Sequence, residues 1–508
     1  MTRRAVRVLL AALTASFVAA GLLTSAAAAP AAPQPREQSL VWGPCAVEAA
    51  PAPVQCANFE VPQDWAGSPG GTTYTQVAAR IRASGGKRIG VLVFNPGGPG
   101  GSGVDAIKRV HARLPEPIKQ SFDLVTWDPR GVGQSEPALK ECPQADTPSP
   151  PETGPVDWAA FTSAYMAALA THNAQCLAAN PVDAQYVGTW QVVRDLNALR
   201  AALGESRITF WGMSYGTTVG RAYAQAFPAR LRALLLDGTI SPDPSIMSYA
   251  REHIWDDGQA VATMIGAFGA EAARTYLEAN RYLNERVLVG ENPGESIDRW
   301  SFNTALASTS AYQSTWPEVQ ELIRSVRKLL RQQRPDPARV SAVARSMEQL
   351  PDEAPLPVRA DGVNPLFQFV NCADMQDRPT SDHLASVVEQ AAAVSGVAYG
   401  IFALGEGSQC SGLPILGRPL AGLDSPLRLD PPAVIVNSVS DNRTPWFGAR
   451  QTANLFTRSA MVTYAGTQHV SYSRVGPCVD NAITPFLVDL RRPARSVACP
   501  LIYRAPRA

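Results

Sequence analysis

Near the middle of the chain, Gly212-Met213-Ser214-Tyr215-Gly216 places a serine between two glycines. The β-type run Ile208 to Trp211 precedes it directly, and a helical stretch to about Phe227 follows. In that context the motif makes a strained strand-to-helix turn that lifts the serine hydroxyl above a sheet, with glycines where larger side chains would collide. The chemistry it permits is attack by the Ser214 hydroxyl on a carbonyl carbon. A helix N-terminus beneath adds free N–H groups and a positive dipole beside a developing oxyanion.

A serine nucleophile needs a base and an acid that orients the base, and after such a turn they follow in the order Asp or Glu, then His. Of five histidines, His111, His172, His253 and His383 precede the last two strand-like runs, Ala433 to Val436 and Ala460 to Tyr464. His469 lies just beyond the second of them, in Ala465-Gly466-Thr467-Gln468-His469-Val470, and is the expected base. Asp441, after the run Ala433 to Val436, is the expected acid, with Asp480 as the alternative. An oxyanion hole takes one backbone N–H from the residue after the nucleophile, Tyr215, and one from a loop after an earlier strand. Asn95-Pro96-Gly97-Gly98-Pro99-Gly100-Gly101-Ser102-Gly103 is such a loop; Pro99 has no N–H, Gly98 is the expected donor and Gly97 the runner-up. As a phosphate-binding loop this stretch fails, because no Lys-Ser/Thr pair follows and prolines remove donors.

These residues need a sheet to hold them. The unbroken apolar run Ile89 to Phe94 reads as a strand buried on both faces, and Thr72 to Arg82, Phe122 to Trp127 and Ala233 to Leu236 read as further strands. Helices are expected over Val104 to Leu114 and Thr189 to Leu203, the latter capped by Thr189. Alternation of strands and helices implies a wound α/β sheet. From 240 to 424 the pattern turns helical, in Ala270 to Val287, Pro317 to Gln332 and Arg339 to Leu350, before strands return. The expected organisation is a core over 40–239 and 425–508, with a large inserted helical cap over 240–424 covering one sheet edge.

Lys plus Arg number 45 against 44 Asp plus Glu, so a polyanion-binding surface is not indicated and nucleic acid is not an expected partner. Arg3, Arg4 and Arg7 precede an apolar run from Val8 to Leu23 and the small residues Ala26 to Ala29, which reads as an export signal over 1–29 with a leader or pro-segment at 30–39. A secreted, extracellular protein with no stable membrane association after cleavage is expected. The first cysteine is Cys45, which argues against a lipid anchor. Eight cysteines in an exported chain favour disulfides over metal chemistry; sequential pairing, 45 with 56, 142 with 176, 372 with 410 and 478 with 499, closes only modest loops.

Together, the Pro96-Gly97-Gly98-Pro99-Gly100-Gly101-Ser102-Gly103 loop, Trp127-Asp128-Pro129-Arg130-Gly131-Val132-Gly133-Gln134-Ser135, Gly212 to Thr217, Asp441 to Pro445 and Gly466 to Val470 resemble the secreted tripeptidyl aminopeptidases. These are larger relatives of proline iminopeptidase among the α/β-hydrolases. The likeness spans about 40 to 500, though Pro96 stands where proline iminopeptidases carry histidine. It implies an α/β-hydrolase fold and release of tripeptides or similarly short fragments from the free N-terminus of peptides and proteins, through an acyl-enzyme on Ser214. It calls for no metal or organic cofactor. An exopeptidase must also hold the substrate ammonium, and Phe369-Val370-Asn371-Cys372-Ala373-Asp374 resembles the family's cap motif, making Asp374 the first candidate before Asp377 and Glu353. Trp211 is read as core, and Asp128 with Arg130 as an ion pair bracing the loops. A single-residue iminopeptidase and a carboxylesterase or lipase are the alternative functions, since the same triad cleaves esters.

Overall fold

The computed structural model describes residues 38–45, 53–68, 70–292, 294–350, 364–430 and 433–503. The export signal, most of the leader segment and Glu353 lie outside them. Nine strands form one sheet: β1 (Gln55–Pro62), β2 (Thr73–Ile81), β3 (Gly90–Asn95), β4 (Phe122–Trp127), β5 (Ile208–Met213), β6 (Leu231–Asp237), β7 (Val434–Ser438), β8 (Ala460–Tyr464) and β9 (Ser496–Cys499). Their order is β1-β2-β4-β3-β5-β6-β7-β8-β9. The β1–β2 and β2–β4 pairs are antiparallel, and every later pair is parallel.

The unbroken apolar strands are central because both their faces are covered. Val91 and Val93 of β3 enter one core and Leu92 and Phe94 the other. The second core is closed by α1 (Gly103–Arg113), α2 (Glu116–Ser121) and α15 (Pro477–Asp489). The first is closed by α3 (Trp158–Ala179), α4 (Thr189–Ala202), α5 (Gly216–Ala226) and α14 (Trp446–Leu455). Between β6 and β7 the chain builds α6 (Ile246–Phe268), α7 (Ala270–Glu285), α8 (Arg299–Ser310), α9 (Trp316–Leu330), α10 (Pro337–Glu348), α11 (Leu366–Asp374), α12 (Ser381–Ser395) and α13 (Gly400–Ser408). Helices α6 to α10 share a third apolar core that includes Met264, Leu306, Trp316 and Val340.

The sequence expectations missed β1, β9, α2, α3 and α14. Helix α3 packs on α12 and so joins the helical layer; its Asn173 amide donates to the carbonyls of Gln409 and Ser411 at 3.1 and 2.9 Å. Thr189 does not cap α4. Gly188 holds that position, and the Thr189 side chain turns to a distant carboxylate, described below. The disulfides are Cys45–Cys56, Cys142–Cys176, Cys372–Cys410 and Cys478–Cys499, the sequential pairing expected. Among the described residues no helix is long and apolar enough to cross a membrane.

Candidate active site

Strand β5 ends at Met213 and α5 begins at Gly216, so Ser214 and Tyr215 form the turn between them. Ser214 has φ 54°, the left-handed region that costs a side-chain-bearing residue strain. The turn is held on both sides of the serine. Its N–H donates to the Asp237 carbonyl at 3.0 Å, and its carbonyl accepts the Thr217 N–H at 2.8 Å and the Thr217 hydroxyl at 2.6 Å. A Cβ at Gly216 would stand 2.6 Å from the Asn95 carbonyl oxygen, so the glycine lets the loop after β3 reach the nucleophile.

That loop lies against Ser214. A Cβ on Gly97 would meet the Ser214 Cβ at 2.8 Å and the Tyr215 nitrogen at 3.1 Å. The Gly97 N–H is already committed to the Asn95 side-chain oxygen at 3.0 Å, while the Gly98 N–H meets no acceptor among the described residues. The geometry therefore favours Gly98 over Gly97 as a donor to a developing oxyanion, alongside Tyr215.

His469 and Asp441 come together from the ends of β8 and β7. Nδ1 of His469 lies 3.1 and 3.0 Å from the two Asp441 carboxylate oxygens. Asp441 also accepts the N–H groups of Arg443 and Thr444 at 2.9 and 3.0 Å and the Thr444 hydroxyl at 3.1 Å. So many donors fix the carboxylate and orient the ring. The His469 N–H donates to the Ala311 carbonyl at 2.8 Å, which anchors it to the helical segment. At the end of β6, a Cβ on Gly238 would stand 3.1 Å from His469 Cε1. Ser214, bonded to Asp237, and His469, against Gly238, thus converge over one dipeptide.

Sequence reasoning missed Asp237. It is fully buried, and its carboxylate accepts the N–H groups of Ser471 and Tyr472 at 2.8 and 2.9 Å. Burial pushes its carboxyl up to about 6, against the lowering effect of those two bonds. The available signal was an acid closing the apolar run Leu234-Leu235-Leu236 at the carboxyl edge of the sheet.

The expected Asp128–Arg130 ion pair does not form. Asp128 turns to the start of α1, accepting from the Ser102 hydroxyl at 3.0 Å and the Val104 N–H at 3.1 Å. Arg130 instead forks onto Asp195 of α4, at 2.6 and 2.8 Å, with both side chains buried. Trp211 is core as expected, packed edge-on against Tyr472.

Asp374 is buried at the end of α11, and its two oxygens accept the Thr189 N–H at 3.1 Å and hydroxyl at 2.5 Å. The Thr189 hydroxyl also bonds the Tyr215 hydroxyl. Burial pushes the Asp374 carboxyl up to about 7. Asp377 receives the Ser245 hydroxyl and the N–H groups of Ile246 and Met247 at the start of α6, the work of a helix cap. Asp480 accepts the Ser473 N–H at 2.8 Å and does not bond His469.

A group of carboxylates not foreseen from the sequence lies beside the Asp441 loop: Glu252, Asp256 and Asp257 on α6, and Glu406 on α13. Asn442 donates to Asp257 at 2.8 Å, and Thr263 of α6 bonds Ser440 at 3.0 Å. Glu252, Asp256 and Glu406 are half-buried, and Asp257 is buried. Burial pushes Asp256 up to about 8, helped by the like charges of Asp257, Asp441 and Glu252. Burial also takes Glu252 and Glu406 to about 7 and Asp257 to about 6. Arg443 is the cation that acts on Asp257 and Glu406, so carboxyl groups outnumber cations in this cluster.

A wound sheet with a serine in a strained strand-to-helix turn and a histidine–carboxylate pair at its edge is the arrangement of a serine hydrolase of the α/β-hydrolase class. The family model described as alpha/beta hydrolase fold matches residues 90–278, and the one described as TAP-like protein matches 398–499. The chain is 28% identical to "Serine protease Hip1" of Mycobacterium tuberculosis over 91% of each chain. It is also 28% identical to "Tripeptidyl aminopeptidase" of Streptomyces lividans, over 93% of this chain and 88% of that one. "Carboxylesterase B" of Mycobacterium tuberculosis is 28% identical over 88% and 86%. These matches support a place for the chain among the tripeptidyl aminopeptidase-like serine hydrolases of the α/β-hydrolase fold.

Proposed function

We propose that this serine peptidase is an exported exopeptidase that releases tripeptides or similarly short fragments from free N-termini. In this reading Ser214 attacks the scissile carbonyl while His469 takes its proton, Asp441 stabilises the imidazolium, and the N–H groups of Gly98 and Tyr215 receive the oxyanion. The C–N bond then breaks as His469 returns the proton to the leaving amine. Water, deprotonated by His469, attacks the acyl-enzyme, and the released fragment carries a carboxylate while Ser214 regains its hydrogen.

The observation that carries the exopeptidase reading is the carboxylate cluster beside the Asp441 loop. Half-buried acids with raised proton affinity and too few cations are matched by an ammonium, which would be bound there by charge-assisted hydrogen bonds. Glu252, Asp256 and Glu406 are the proposed ligands of the substrate N-terminus. Asp374, bonded to Thr189, braces Tyr215 in this scheme. Helices α6 to α13 act as a cap, and the distance from cluster to serine sets the fragment length. A carboxylesterase reading draws on the Carboxylesterase B relative, but an acidic cluster opposes binding of an acyl chain. Four disulfides and the leader sequence support export to an oxidising compartment.

Mass spectrometry of a defined decapeptide during digestion tests this. Successive loss of three residues from the N-terminus is expected; cleavage at internal bonds, or loss of single residues, overturns the fragment length.

A further inference from the structure

Helix α5, which begins at the nucleophile, carries a buried cation about two turns beyond it. Arg221 is 4% exposed. Its Nη1 donates to the Thr452 hydroxyl at 3.2 Å and its Nη2 to the Ser241 carbonyl at a long 3.4 Å, and its Nε–H is buried with no acceptor. Among the described residues no carboxylate lies within ion-pair distance of it. Asp424 acts on it from a distance, but is exposed. A buried guanidinium left so short of partners is costly and calls for a counter-charge.

The side chain lines a small cavity of about 30 Å³, together with Gln225, Ser425, Leu427, Leu455 and Phe456. We propose that this cavity is a binding site for a small monovalent inorganic anion of the chloride and bromide class, held by the Arg221 guanidinium. The space suits one or two water-sized species. Its apolar wall favours weakly hydrated anions, so bromide and chloride bind ahead of fluoride. The site is coupled to the nucleophile turn by hydrogen bonds. Thr452, bonded to Arg221, donates to the Ile240 carbonyl at 3.4 Å; the Ile240 N–H donates to the Thr217 hydroxyl at 3.1 Å; Thr217 donates to the Ser214 carbonyl at 2.6 Å. Burial lowers the proton affinity of Arg221 to about 9, and an anion beside it would restore the charged form.

Thermal unfolding in sodium bromide, chloride, fluoride and gluconate at constant ionic strength tests the site. The expected result is a saturable rise in Tm of about 2 °C or more with bromide and chloride, absent with gluconate, together with an anomalous-scattering peak beside Arg221 in bromide-soaked crystals. Arg221→Met should abolish the response. Should that variant not fold, Ser425→Leu, which fills the cavity, should abolish it instead. Identical Tm values in chloride and gluconate, with no bromide peak at Arg221, would overturn the proposal.

Discussion

The main-chain carbonyl of Asp237 accepts the N–H of Ser214 at 3.0 Å. The carboxylate of the same residue holds Ser471 and Tyr472, just beyond His469. One residue at the end of β6 therefore ties the histidine loop to the serine turn. Asp237→Asn presents an amide donor to one of two buried N–H donors, a loss of about 1–3 kcal/mol. The expected outcome is a fall in kcat of about 10–100-fold with KM within about twofold, and slower fluorophosphonate labelling of Ser214. A purely structural role would lower Tm and leave labelling of the folded fraction unchanged.

Asp441→Asn cannot accept the Nδ1 proton of His469 while receiving Arg443 and Thr444. On the general behaviour of such triads, kcat should fall on the order of 10⁴-fold. Steady-state rates beside Ser214→Ala and His469→Ala check this, and the losses should not add.

Glu252→Gln and Asp256→Asn each remove a charged partner of the substrate ammonium. A drop in kcat/KM of about 10–100-fold is expected on free-amine peptides, with a small phenyl ester hydrolysed as before. An equal loss on both substrates would assign these acids to the fold.

The buried or half-buried carboxyls of Asp128, Asp237, Glu252, Asp256, Asp257, Asp374 and Glu406 lie at about 6 to 8, above their ordinary values near 4. The folded state therefore binds more protons than the unfolded chain across that window, and this contribution to stability is lost as pH rises from about 4 to 8. His253, lowered by burial to about 4, works in the opposite sense only below its ordinary 6.5. Between pH 6.5 and 8 the Tm should fall, and a bound peptide amine should offset the fall. Differential scanning calorimetry across that range checks the sign.

How much of this was legible in the sequence follows the range of the interactions. Gly212 to Gly216 announced its turn because strand, serine and helix are contiguous, and Asp441 and His469 were found by their places after β7 and β8. The acidic cluster was not. Glu252 and Asp256, four apart on α6, read locally as a solvated face; only α13 and the Asp441 loop, nearly 200 residues further on, enclose them. Arg130 was assigned to its near neighbour Asp128 because nothing local points to Asp195 on α4. Thr189 had the look of a cap, yet Asp374, brought over by α11, takes its hydroxyl.

Recognition of a free N-terminus is the proposed specificity of the enzyme. Its most direct test is kcat/KM for a tripeptide anilide with a free N-terminus, the same anilide acetylated, a single-residue anilide and a short acyl ester. The free tripeptide should be cleaved far faster than both the acetylated form and the single residue. Indifference to acetylation, with the ester turned over fastest, would contradict the account and make the protein an esterase.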